Sequence, residues 1–127
     1  MGGMELFDSM DAKETARNTA ESAATLLHAR PCPTGRMPVI VANGFGGLLF
    51  HEACGHSLEA TNMADGGSEF SGRIGEQIAS PKVTLVDDGR RPGAWGSLHI
   101  DDEGIPTRRN VLIENGILNG CLVDRLD

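Results

Sequence analysis

The chain has 127 residues, a net charge of −7 at neutral pH, one Trp, four Phe and no Tyr. That length suits one modest domain. The acidic balance excludes binding to nucleic acid through charge, and so few aromatic rings exclude a base-stacking platform. No apolar run approaches the ~20 residues of a membrane-spanning helix.

The start, Met1-Gly2-Gly3-Met4-Glu5-Leu6, lacks the basic and apolar parts of a signal sequence. Cys32, Cys54 and Cys121 are scattered and odd in number, which fits a reduced, cytoplasmic protein better than a disulfide framework. Residues 8–29 read as a helix capped by Asp8 or Ser9. Ala12, Ala16, Ala20, Ala23 and Leu27 recur at steps of three and four, a small-sided stripe that predicts close packing against a sheet or helix. Pro31-Cys32-Pro33-Thr34-Gly35 ends it.

Residues 38–42 read as a short buried strand, and Asn43-Gly44-Phe45-Gly46-Gly47 as the tight turn after it. No Lys-Ser/Thr follows these glycines, and the dinucleotide fingerprint fails at Leu49, so the turn is not a phosphate cradle. A second helix then runs from about 47 to 60, with Leu48, Leu49, Phe50, Ala53 and Leu58 as its expected core contacts.

This helix carries His51-Glu52-Ala53-Cys54-Gly55-His56. Two neutral imidazoles and an adjacent carboxylate suit Zn²⁺ and the activation of water. Random placement of four His and nine Glu yields this spacing in about one chain in a hundred. The same residues also fit a surface helix that happens to bear two histidines. On an ideal α-helix, five residues at ~100° each leave the two rings ~140° apart. Convergence therefore requires a distortion. Gly55 is where a one-residue π-type bulge is expected, because glycine tolerates unusual backbone angles. A catalytic zinc site has three protein ligands, and Glu59, Cys54, His99 and the acidic pairs Asp87-Asp88 and Asp101-Asp102 compete for the third place. The acidic pairs adjoin Gly89 and Gly104 and read as polar turns.

Residues 61–71 read as an exposed, mobile loop. Arg73 and Glu76, three apart, suit a surface pair. Residues 82–86 read as a strand. Residues 109–114, Asn115-Gly116 and residues 117–125 read as a hairpin, since Asn-Gly between apolar runs is a strong two-residue turn signal. The elements together predict an α+β fold: a mixed sheet, an N-terminal helix, a motif-bearing helix and a C-terminal β-hairpin. Residues 1–127 read as a single partial domain, β-rich over 82–127. The hairpin is followed by no capping element, so the chain reads as a fragment of a larger one.

Several separated blocks resemble one family, the TldD metallopeptidases, which pair with the related PmbA (or TldE) proteins and are also labelled modulators of DNA gyrase. The blocks are Gly47-Leu48-Leu49-Phe50-His51-Glu52-Ala53-Cys54-Gly55-His56-Ser57-Leu58-Glu59, Phe70-Ser71-Gly72-Arg73-Ile74-Gly75-Glu76, Val86-Asp87-Asp88-Gly89, Gly96-Ser97-Leu98-His99-Ile100-Asp101-Asp102-Glu103-Gly104 and Val111-Leu112-Ile113-Glu114-Asn115-Gly116. The resemblance spans most of residues 31–127. It implies a cytosolic zinc peptidase acting on unstructured peptides, with His51 and His56 as metal ligands and Glu52 as general base. It also implies a third ligand, a cysteine far downstream that no residue here matches, and hence an inactive fragment. The expected partners are a PmbA/TldE-type subunit or further copies of the chain, with no nucleic acid and no membrane. Dipeptidyl peptidase III shares His-Glu-x-x-Gly-His but not the later blocks. A regulatory or partner-binding module, in which the motif helix is only structural, is the alternative reading.

Overall fold

The structure, a computed structural model, describes residues 3–44 and 46–126. Met1, Gly2, Phe45 and Asp127, which belong to the leader, glycine-turn and terminal readings above, lie outside the described residues. The chain divides into two compact units, Met1–Ile40 and Val41–Asp127. No helix among the described residues is long and apolar enough to cross a membrane.

The first unit holds α1 (Glu5–Ser9) and α2 (Ala12–Leu27). The helix expected over 8–29 is thus broken, because Met10 is extended (φ −91°, ψ 131°). The cap of the long helix is Asp11, not Asp8 or Ser9: its carboxylate accepts the backbone N–H groups of Lys13 and Glu14, both at 3.0 Å. The alanine stripe buries nothing, since no residue of α2 is buried. The strand expected over 38–42 is also absent. Ile40 is 99% exposed, and the segment pairs with no other described strand, so its backbone has no ladder to join.

The second unit is α+β. Its helical part runs α3 (Gly47–Phe50), a π-helical turn (His51–Gly55), a 3₁₀ turn (His56–Leu58) and α4 (Ala60–Ala64). Its sheet has β1 (Leu85–Asp88), β2 (Arg109–Glu114) and β3 (Ile117–Leu118) in the order β1-β2-β3. The mixed sheet of the sequence reading takes this form: all three strands are antiparallel, and one parallel bridge joins Glu59 to Leu122 outside them. Asp87 and Asp88 lie within β1, opposite Asn110 and Arg109, rather than in a turn after it. The hairpin turns at Asn115 (φ 50°) and Gly116 (φ 83°), the paired positive angles that an Asn-Gly turn needs. Its second strand, expected over 117–125, pairs only over Ile117–Leu118, and the strand expected over 82–86 lies instead at Leu85–Asp88.

Leu58, Phe70, Leu112, Ile113 and Leu118 form the core, with Cys54, Met63, Ile78, Leu85 and Leu122 packed against it. Of the core contacts expected from the motif helix, only Leu58 is buried; Leu48, Leu49 and Phe50 are exposed. The segment 61–71 is not a free loop. The Ser68 hydroxyl donates to the Ser57 carbonyl at 2.6 Å and accepts the Phe70 N–H at 3.0 Å, which carries Phe70 into the core.

Candidate metal centre

The motif lies where α3 gives way to a wider turn. In a π-turn the backbone closes from i to i+5, so residues five apart come onto one face. His51 and His56 are therefore brought together, with ring centroids 4.6 Å apart and planes at 66°. One potential ligand atom each from His51, Glu52 and His56 lies within 4.8 Å of the others, and all three side chains are exposed.

Gly55 sits at the centre of this distortion, for a reason that differs from the expected one. Its backbone is ordinary helix (φ −57°, ψ −55°). What glycine provides here is room: a Cβ at this position would stand 3.1 Å from Nδ1 of His51. The His51 ring lies over the space that a side chain at 55 would fill.

Among the described residues, none of the competing third ligands joins the group. Glu59 instead accepts a hydrogen bond at 2.8 Å from Nδ1 of His56. An ionised carboxylate has only acceptors to offer, so the contact suits the His56 tautomer that donates from Nδ1, and in that tautomer Nε2 is the nitrogen that can face a cation. Asn62, which the motif did not single out, donates from Nδ2 to the His56 carbonyl at 2.9 Å and to Oε2 of Glu59 at 3.4 Å. The spacing His-x-x-Glu-x-x-Asn was the available signal, each partner lying three residues beyond the last. Cys54 faces the core. Burial pushes its thiol above the ordinary value, and the negative charge of Glu69 adds to that, so it stays protonated at neutral pH.

Three of the acidic candidates have structural partners, while His99 and Asp102 simply lie apart from the motif group. Asp101 accepts the N–H groups of Glu103 at 2.9 Å and Ile105 at 2.8 Å, Asp88 accepts that of Arg90 at 3.1 Å, and Asp87 accepts from Asn110 at 3.3 Å. Arg73 pairs with Glu76 at 2.9 Å. An open cleft of about 400 Å³ elsewhere on this unit, bordered by Asp87, Asp101, Cys121 and Arg125, includes none of the motif residues.

The donor chemistry fits a divalent cation of borderline softness. Two imidazoles on one face with a carboxylate beside them can hold such an ion and move a proton next to it. Comparison with known proteins points the same way. Residues 34–127 match the family described as the PmbA/TldA metallopeptidase C-terminal domain. The chain is 46% identical over 112 residues to a metalloprotease TldD homolog of Haemophilus influenzae, covering 88% of this chain and 23% of that protein. It is 40% identical over 124 residues to a metalloprotease of Methanothermobacter thermautotrophicus, covering 98% of this chain and 27% of that protein. The chain thus spans about a quarter of the length of these curated relatives. Among solved structures, TldE of Thermococcus kodakarensis aligns with a TM-score of 0.50 at 39% identity, over 54% of this chain and 16% of that one.

Proposed function

The chain belongs to the TldD/PmbA metallopeptidase family, and from that premise we propose that it is the metal-binding segment of a zinc peptidase that hydrolyses unstructured peptides. The observation that carries this reading is the convergence of His51, Glu52 and His56 on a π-turn. His51 and His56 would hold the ion. Bound Zn²⁺ supplies Lewis acidity, lowering the pKa of water towards ~7 and polarising a peptide carbonyl.

The chain's own work falls to Glu52. Its carboxylate takes the proton from water as the oxygen attacks the carbonyl carbon, then gives that proton to the departing amine. Two imidazoles leave a catalytic site one protein ligand short. We place the third in a part of the longer protein outside these residues, so the 127 residues alone bind zinc weakly and do not hydrolyse peptides. They form one partial domain of that protein. The three free cysteines suit a cytoplasmic setting. The likeness to a TldE structure supports a TldE-type partner subunit or a homo-oligomer.

The test is Glu52→Gln in the full-length protein, with metal content and peptide turnover measured on the same sample. The expected result is stoichiometric zinc retained and hydrolysis lowered by about 10²–10⁴-fold, the usual contribution of a positioned general base. Turnover preserved with zinc bound removes Glu52 from the mechanism. Wild-type protein that takes up no metal supports a regulatory module with a structural motif helix instead.

A further inference from the structure

We infer that Glu59 is a positioning residue for the metal site, holding His56 in one tautomer and one orientation. The inference rests on the metal reading proposed above and adds a residue that this reading does not use. Three observations meet at Glu59. Its Oε1 accepts from Nδ1 of His56 at 2.8 Å. Its other oxygen, Oε2, lies 3.4 Å from Nδ2 of Asn62, and that same amide holds the His56 carbonyl at 2.9 Å. Its backbone is extended (φ −69°, ψ 133°) and separates the 3₁₀ turn from α4.

The backbone on both sides of Glu59 is tied to one residue. Leu122 donates its N–H to the Leu58 carbonyl, and its carbonyl accepts the N–H of Ala60, each at 2.7 Å. Leu58 and Ala60 are both buried. The carboxylate therefore projects from a point fixed to the core, whereas His56 lies in an exposed turn. A ligand on an exposed turn samples several ring orientations, and a carboxylate on its far nitrogen removes that freedom. The extended residue at 59 is thus not only the joint between the 3₁₀ turn and α4. It turns the backbone so that a side chain three residues on reaches back to the ring.

The test uses the full-length protein, with Zn²⁺ affinity measured by competition against a chromophoric chelator and Co²⁺ as a spectroscopic probe. Glu59→Ala is expected to weaken Zn²⁺ binding by about 10–100-fold, the range for partners that orient metal-binding histidines. The Co²⁺ ligand-field bands should stay in place, because the donor set is unchanged. Glu59→Gln keeps an acceptor for Nδ1–H and should recover part of the loss. Glu59→Asp keeps the charge but loses the reach, and should behave like Ala; it carries the test if the Ala variant does not fold. Thermal unfolding of the metal-free variants should match wild type. Affinity within twofold of wild type in Glu59→Ala and Glu59→Asp overturns the inference. So do Co²⁺ bands shifted to those of a site with one donor fewer, since Glu59 would then be a ligand. His56→Ala separates the two claims. If it abolishes tight binding while the Glu59 variants bind normally, only the positioning role falls. If it leaves binding intact, the donor set falls and this inference with it.

Discussion

A glycine and a histidine four residues apart decide whether the motif can act as a site. In an exposed helix, replacing Gly by Ala normally stabilises by up to ~1 kcal/mol, because alanine loses less backbone freedom on folding. Gly55 has ordinary helical angles, so that gain is open to it. The new methyl would however stand 3.1 Å from Nδ1 of His51, tighter than a relaxed contact, and the ring would have to move by several tenths of an ångström. Gly55→Ala is therefore expected to split two quantities that usually move together. Thermal unfolding of the metal-free protein holds steady or rises, while Zn²⁺ affinity falls by about tenfold, the low end for lost ligand orientation. Calorimetric titration of the variant reads the second quantity directly. Unchanged affinity would mean that the space above Gly55 has no part in placing His51.

The hairpin shows the same logic one level up. β2 and β3 are joined by Asn115-Gly116, and Gly116 also receives the chain that precedes β1. Its carbonyl accepts the N–H groups of Ile78 at 2.9 Å and Ala79 at 3.1 Å, and its N–H donates to the Val83 carbonyl at 2.8 Å. A Cβ here would meet the Ser80 carbonyl oxygen at 2.8 Å, on a backbone with φ 83°. Gly116→Ala should thus cost more than the ~1–2 kcal/mol of a left-handed alanine alone, seen as a lowered midpoint of thermal unfolding. Asn115→Gly, which meets the same positive angle without a side chain, should lie near wild type. A Gly116→Ala protein that melts like wild type would show that the turn is not fixed by these contacts. This hairpin was legible in the sequence because its signal is local: two residues set both the turn and the register. The widening at the motif was legible for a similar reason, since two histidines five apart can share one ion only where the helix widens locally, and a π-turn is found there. What stayed illegible depends on distant partners. An apolar run at 38–42 carries no information on whether a neighbouring strand exists. Nothing near Ser68 says that its hydroxyl will meet Ser57. Glu59 was readable as a potential ligand three residues past His56, but the extended backbone from which it meets the ring is held by Leu122, 63 positions further along the chain.

At the scale of the second unit, the site and the core meet at one side chain. Leu58 closes the 3₁₀ turn that begins at His56, is 0% exposed, and packs with Phe70, Leu112, Ile113 and Leu118. Buried apolar residues are few among those described, so each holds a large share of the unit's stability. Truncating a fully buried Leu to Ala costs ~2–5 kcal/mol, against the ~5–15 kcal/mol that holds a typical domain together. Leu58→Ala keeps the backbone carbonyl that Leu122 binds but removes the buried side chain that seats this residue in the core, and so loosens the segment from which Glu59 reaches His56. The variant should therefore lose unfolding temperature and Zn²⁺ affinity together. That joint loss differs from Gly55→Ala, which loses affinity alone, and from Gly116→Ala, whose lesion lies in the hairpin. Measuring both quantities across the three variants in the full-length protein maps how far the core supports the site. If Leu58→Ala melts early yet binds Zn²⁺ as tightly as wild type, the motif turn holds its geometry without help from the core, and the coupling through residue 58 is wrong.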